Sequence, residues 1–314
     1  MVLMKRGAGR AIWGALFLAM LLLNGCAGLC NRVQPFVNEP ERVLIESVPF
    51  HAQEKYQCGP AALSMILAWS GIDIAPHDLI SQVYSPALEG SLQPAILASI
   101  RRQGRLAFSI SGMEAFLTEL AAGHPVLVLQ NLSFFWAPLW HYAVVIGYDC
   151  SGEGEIILHS GNRQSERLPF RIFRNTWKRS DFWGVLALPP DRLPATATET
   201  SMMAAIAGLE QAGQWSAART AYRTAIDRWP ENFVAWIGLG NSCYSLSDFT
   251  EAELAFRQAI ALQPENGAAF NNLAQALLKQ GRKQEALAAA YRAIACGGVF
   301  LEQFQQTLIE VQEN

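Results

Sequence analysis

The sequence predicts an α+β domain over residues 44–191 and then an all-α solenoid of helical repeats over residues 199–314. Three observations predict this. In the first half, helical spacing of apolar residues comes first and strand-like apolar runs follow, which is an α+β layout and not the alternation of a parallel α/β sheet. From residue 199 onward, small and apolar residues return with a period of 34, the signature of stacked helical units. Between the halves, Pro194-Ala195-Thr196-Ala197-Thr198 is turn-prone and marks a linker over 192–198. A length of 314 residues also fits two domains better than one core.

The elements of the first half follow in order. Val43–Phe50 has the composition of a short strand. Pro60 suits the first turn of a helix, where its missing N–H would have no partner. Apolar spacing carries that helix from Cys58 to about Ser70, and Gly71 stops it. Further helices are expected over His77–Val83, Leu92–Gln103 and Met113–Ala122, the last closed by Gly123. Strands are expected over Leu106–Ile110, Val126–Gln130, His141–Tyr148, Glu155–His159 and Gly184–Leu188. If the third and fourth of these strands form a hairpin turning near Ser151–Gly152, residues 160–162 fall opposite His141.

Two side chains stand out chemically. Cys58 lies at a helix N-terminus, where the dipole favours a thiolate, the form of cysteine that attacks carbonyls. A small buried core cysteine is the alternative. His141 heads a strand and faces Ser160, Gly161 and Asn162, so a polar residue is available to take its second ring nitrogen.

These residues carry a resemblance. Gln53, Cys58-Gly59-Pro60-Ala61, His141-Tyr142-Ala143-Val144-Val145-Ile146-Gly147-Tyr148 and Trp183-Gly184-Val185-Leu186-Ala187-Leu188 resemble the bacteriocin-leader-processing (double-glycine leader) cysteine peptidase family over residues 44–190. The resemblance implies a papain-like fold, with Cys58 as nucleophile, His141 as general base and Gln53 as oxyanion-hole donor. One position departs from the family. Where the family has an aspartate, usually followed by proline, this chain has Leu158-His159-Ser160-Gly161-Asn162, and Ser160 takes the slot. Asn162 is the favoured third catalytic residue, as in Cys-His-Asn peptidases, and Ser160 is the alternative orienter. Gln57 competes with Gln53 for the oxyanion role. His51, His77, His124 and His159 are expected on the surface or in loops. The run Phe134-Phe135-Trp136-Ala137-Pro138-Leu139-Trp140 either joins the core or walls a substrate cleft. No nucleotide-binding P-loop is found, so the transporter-fused form of the family is not expected and a double-glycine leader substrate does not follow.

The second half divides into blocks 199–232, 233–266 and 267–300. Equivalent positions hold Ala218, Ala252 and Ala286, then Tyr222, Phe256 and Ala290, then Ala225, Ala259 and Ala293. Block ends read Trp229-Pro230-Glu231-Asn232 and Gln263-Pro264-Glu265-Asn266. With Trp236, Leu239 and Gly240, the pattern is similar to the tetratricopeptide repeat, and Leu301–Gln312 would cap the array. Such arrays imply a protein partner in a concave groove; a spacer or dimerisation surface is the alternative. The expected whole is an α+β papain-like cysteine peptidase domain followed by an all-α tetratricopeptide-repeat solenoid.

The start of the chain is an address. Lys5, Arg6 and Arg10 precede the apolar run Ala11–Leu23, which is short for a membrane span. Leu21-Leu22-Leu23-Asn24-Gly25-Cys26 resembles a bacterial lipobox, so residues 1–26 are expected to be a lipoprotein signal peptide with lipidation at Cys26, and 27–43 a tether. Ala27 after the cysteine resembles lipoproteins sent to the outer membrane, facing the periplasm. An ordinary cleaved signal and an uncleaved anchor are the alternatives. A net charge of −3 without a long basic run argues against nucleic acid. The spacing of cysteines 26, 30, 58, 150, 243 and 296 suggests neither a metal site nor a disulfide scaffold, and no cofactor is expected. The function expected is a lipid-anchored cysteine peptidase acting on a peptide or protein. The alternatives are a catalytically degenerate scaffold of the cell envelope, and another acyl transfer such as amide hydrolysis in cell-wall peptides.

Overall fold

The computed structural model describes residues 40–53 and 57–313. The expected signal peptide with Cys26, the tether up to residue 39 and Cys30 lie outside the described residues.

Helix α1 (Cys58–Trp69) is buried continuously from Gly59 to Leu67 and ends where Gly71 adopts φ 89°. Its apolar surface is wrapped on all sides, which is why the sequence shows no polar stripe there. Helix α2 (Pro76–Val83) starts on Pro76. A small hairpin follows, β2 (Tyr84–Ser85) and β3 (Gly90–Ser91), joined by a 3-10 turn over Pro86–Leu88. Helix α3 (Gln93–Arg102) leads into β4 (Leu106–Ser111), and α4 (Met113–Ala121) into β5 (Val126–Asn131).

Strand β6 (Trp140–Asp149) is ten residues long and is the spine of a seven-stranded antiparallel sheet. The strand order is β4-β9-β5-β6-β7-β8, with β7 (Glu155–Ser160), β8 (Arg163–Pro169) and β9 (Trp183–Leu188). One edge of β6 is shared. Strand β5 covers it from Trp140 to Val145, and β1 (Arg42–Leu44) covers Gly147 to Asp149. A Cβ at Gly147 would overlap the Val43 carbonyl, so this close approach requires glycine. The β6–β7 ladder pairs Val144 with His159 and Val145 with Leu158, then shifts by one residue at a bulge before Gly147.

Several elements differ from expectation, the β2–β3 hairpin and α5 (Phe170–Lys178) among them because neither was expected. The strand expected over Val43–Phe50 is confined to Arg42–Leu44, because the chain turns over residues 46–48 and Pro49 has no N–H for a ladder. Strand β8 was not expected from its composition, Arg-Gln-Ser-Glu-Arg-Leu-Pro; it is an edge strand, and charge there discourages pairing with other chains. Helix α5 buries Phe170, Phe173 and Trp177 on one stripe.

The second half is a solenoid of antiparallel helix pairs: α6 (Glu199–Gln211) with α7 (Trp215–Arg228), α8 (Phe233–Ser245) with α9 (Phe249–Leu262), and α10 (Gly267–Lys279) with α11 (Lys283–Cys296), closed by α12 (Leu301–Glu313). The recurring alanines are buried at the helix crossings. Asn232 and Asn266 cap α8 and α10 through side-chain bonds to Ala235 N and Ala269 N. Among the described residues, no helix is long and apolar enough to cross a membrane.

The solenoid is fastened to the first domain. Helix α6 packs on β4, burying Met202, Ile206 and Leu209. The Glu119 carboxylate, fully buried, accepts from Ala195 N (3.1 Å), Thr196 N (2.8 Å), Thr196 Oγ1 (2.6 Å) and His124 Nδ1 (2.7 Å). Burial pushes its pKa up, but the bonds from His124, Thr196 and Ala195 outweigh that and hold it below the usual range. Its contribution is therefore present above the unfolded-state value of about 4.3 and lost as pH falls through the folded value. Glu119→Ala is expected to cost about 3–5 kcal/mol in urea denaturation, by orphaning buried donors. It should also flatten the fall in stability on the acid side of about pH 4.

Candidate active site

Cys58 is the first residue of α1, and its position is fixed by the turn behind it. Gly59 packs so closely on β3 that a Cβ there would overlap the Ser91 side chain. The sulfur therefore looks into a cleft of about 1320 Å³ lined by Gln53, Cys58, His141 and Asn162, among others. That volume exceeds the ~300–1,000 Å³ usual for small-molecule pockets and suits an extended chain.

Tyr142, the residue after His141, ties the site together. Backbone hydrogen bonding at Tyr142, together with that at Gly59 and Cys58 itself, favours a charged Cys58 sulfur. The Tyr142 carbonyl accepts from Gln53 Nε2 at 3.3 Å. Its hydroxyl donates to Ser91 O at 3.1 Å. Gln53 is held from its other side by its backbone N–H, which donates to Gly161 O at 3.1 Å. Tyr142 is buried, and burial beside Cys58 pushes its phenol pKa well up, so it stays a neutral donor. Nothing in the sequence pattern marked Tyr142 as more than a core aromatic; its adjacency to His141 was the available signal.

His141 Nε2 lies 2.9 Å from Ser160 Oγ. The bond goes to the alternative orienter and not to the favoured Asn162. The reason is local: Ser160 pairs with Arg163, so the chain reverses at Gly161–Asn162, with Gly161 at φ 58°. Asn162 is left exposed at the turn, on the rim of the cleft. The cleft lining includes Gln53 and not Gln57, which is the residue before α1.

Burial works against charge at both Cys58 and His141. Burial pushes the Cys58 thiol up, and the backbone hydrogen bonds at the helix start only partly offset this. Burial also lowers the His141 imidazole, against a weaker pull from the Glu166 carboxylate. Both shifts disfavour the thiolate–imidazolium pair.

Two histidines expected on the surface or in loops are interior. His124 is the buried partner of Glu119, and His159 lies on β7 with Nε2 3.2 Å from Val48 O and Nδ1 accepting from Ser165 N at 3.1 Å. His159 alternates with Ser160 on β7, so it faces away from the cleft. Among the described residues, Cys58, Cys150, Cys243 and Cys296 are free thiols, and no group of three or more His, Cys, Asp or Glu is arranged to hold a metal ion.

Comparison with known families agrees with this layout. Residues 45–184 match the model of the Peptidase C39 like family, and residues 208–259 and 244–298 match a tetratricopeptide repeat model. The chain thus joins a Peptidase C39-like domain to a tetratricopeptide-repeat array. No curated protein matches it. Similar solved structures include the TPR2B domain of yeast Sti1 in complex with pHsp70 (19% identity, TM-score 0.36, covering 37% of this chain and 96% of that one). The type III secretion chaperone SycD of Yersinia enterocolitica with a YopD peptide (14%, TM-score 0.35, 37% and 95%) and the Arabidopsis OM64 TPR domain (18%, TM-score 0.35, 37% and 95%) are also similar.

A carboxylate in place of Ser160 would favour the imidazolium and, through it, the thiolate. Ser160→Asp is therefore expected to move the midpoint of the pH–rate profile for Cys58 alkylation by iodoacetamide to lower pH, and to raise the rate at pH 7. Asn162→Asp, at the exposed turn, is expected to move it far less.

Proposed function

We propose that this protein is a cysteine peptidase that hydrolyses peptide bonds with Cys58 as nucleophile and His141 as general base. The observation that carries the proposal is the convergence on one residue: Tyr142 meets the Cys58 sulfur and the Gln53 amide through its backbone, and its neighbour is His141. With Nε2 engaged by Ser160, Nδ1 of His141 is the nitrogen left to take the thiol proton. The sulfur then attacks the scissile carbonyl carbon. The oxyanion is received by Gln53 Nε2, released from its long bond to Tyr142, and by the Cys58 N–H. The imidazolium returns its proton to the leaving amine, and water hydrolyses the thioester with His141 again acting as base. Ser160 is a positioning residue that fixes the tautomer and the ring plane of His141.

The proposal extends to the ends of the chain. The lipobox-like sequence supports lipidation at Cys26 and a periplasm-facing tether on the bacterial outer membrane. The tetratricopeptide repeats support capture of a protein partner or of the substrate beside the cleft.

A second reading has one specific observation behind it. Ser160 carries no charge where a carboxylate would stabilise the imidazolium, and burial works against the charged form of His141. This favours a peptidase fold that holds a peptide without cleaving it. Incubation of unfolded protein substrates with the wild type, followed by mass spectrometry, separates the two. The peptidase reading predicts new termini that vanish with Cys58→Ala. It predicts a loss on the order of 10²–10⁴ in rate with His141→Ala, and of about 10²–10³ in kcat with Gln53→Ala. Identical products from the wild type and Cys58→Ala would establish the binding reading instead.

A further inference from the structure

The loop from Leu132 to Leu139, between β5 and β6, contains no charged residue and presents large side chains to solvent. Phe135 is 82% exposed, Trp136 67% and Phe134 59%. Exposed apolar groups gathered in one place mark a contact surface. This loop is also held rigid. The buried Asn131 side chain accepts from Ser133 N and Leu139 N, each at 3.0 Å, and Arg179 Nη1 donates to Asn131 O (3.0 Å) and Ser133 O (2.6 Å). Leu132 N donates to Leu139 O at 2.9 Å, closing the loop. Phe134 and Trp136 stack with ring centroids 4.7 Å apart and planes 7° from parallel, and Phe135 meets Trp136 edge-on. A fixed aromatic surface loses little conformational entropy on binding.

The ledge is continuous with the cleft. Leu139 and Trp140 are exposed and line it beside His141. The same cleft is also lined by Leu88 and Leu92, from the β2–β3 hairpin and the residue after it, 60% and 54% exposed. An extended chain lying across Cys58 would meet apolar side chains from both segments.

We propose that this ledge selects the substrate: an extended, unfolded peptide whose apolar or aromatic side chains, close to the scissile bond, pack on Phe134 and Trp136. The inference rests on the peptidase reading for the path of the peptide, but its test does not require chemistry. A lipid surface is the other occupant such aromatics suit. Continuity with the cleft favours the peptide: Pro138, Leu139 and Trp140, at the end of the same loop, line the cleft that holds Cys58 and His141.

The test uses the full chain carrying Cys58→Ala and two fluorescently labelled, unstructured peptides of equal length, one alternating Phe with Ser, the other Gln with Ser. The Phe peptide is expected to bind at least about tenfold more tightly. Phe134→Ala with Trp136→Ala should weaken it on the order of thirtyfold, Trp136→Phe should largely retain it, and Leu254→Ser, exposed on α9 and outside the cleft lining, should leave it unchanged. Equal affinity for the two peptides, or a preference that survives the double substitution, overturns the proposal. So does tryptophan fluorescence that shifts with phosphatidylcholine–phosphatidylglycerol vesicles but not with the Phe peptide, which would make the ledge a membrane contact. If Cys58 in the wild type cleaves nothing while the Phe preference holds, the peptidase reading fails and the ledge proposal stands.

Discussion

The point at which β7 stops determines what the site can be. Its ladder with β6 is paired as far as Val144↔His159, and Gly161 then turns the chain back into β8. Had β7 continued, it would have flanked Tyr142. Instead the Tyr142 backbone meets Gln53 and the Cys58 sulfur, which come from the segment before α1 and from its first residue. The sheet's unfinished edge is thus the socket into which the proposed nucleophile and the oxyanion donor are plugged. The same stop leaves Ser160, the last residue of β7, as the group beside the His141 ring.

Within that socket, burial dominates the electrostatics. A helix N-terminus offers an anion about 0.3–1 kcal/mol, less than the ~1.4 kcal/mol that corresponds to one pKa unit. Removal of the sulfur from water outweighs the dipole and the backbone hydrogen bonds, so the thiol is pushed up. The hydroxyl of Ser160 adds no charge to reverse the balance. A substrate that fills the cleft and places a carbonyl at the sulfur changes the terms, because charge then forms on an oxygen facing prepared donors instead of on an isolated thiolate. This makes the proposed chemistry dependent on a well-seated peptide, and the aromatic ledge is the feature suited to seat one.

Much of this was legible in the sequence where one physical signal acted alone. The helix at Cys58, the strand at His141 and the 34-residue blocks follow from apolar spacing and from Gly and Pro punctuation. The helix pairs α6–α7, α8–α9 and α10–α11 follow the 34-residue spacing because each buries alanines at recurring positions. The misses occurred where signals competed. Opposing Asn162 to His141 extended the ladder through Gly161-Asn162, a dipeptide that itself signals a two-residue hairpin turn. Strand β8 is polar because it is an edge, so it lacks apolar alternation. The run at 134–140 is as hydrophobic as core, and contacts made only through the fold, those of Asn131 and Arg179 among them, hold it in solvent. His124 was misjudged because its partner, Glu119, looks like an ordinary helix-surface residue until Thr196 folds back onto it. That clamp also makes the solenoid an extension of the first domain and not a free appendage.

Capture of a peptide aldehyde ending in an apolar residue tests the central claim most directly, since a thiohemiacetal needs the nucleophile, the proton donor and the oxyanion donors in one place. Mass spectrometry of the wild type should find the adduct on Cys58 and not on Cys150, Cys243 or Cys296. Its affinity should drop on the order of a hundredfold with Gln53→Ala. An adduct spread evenly over the free thiols, or one indifferent to both Gln53→Ala and His141→Ala, would contradict the account.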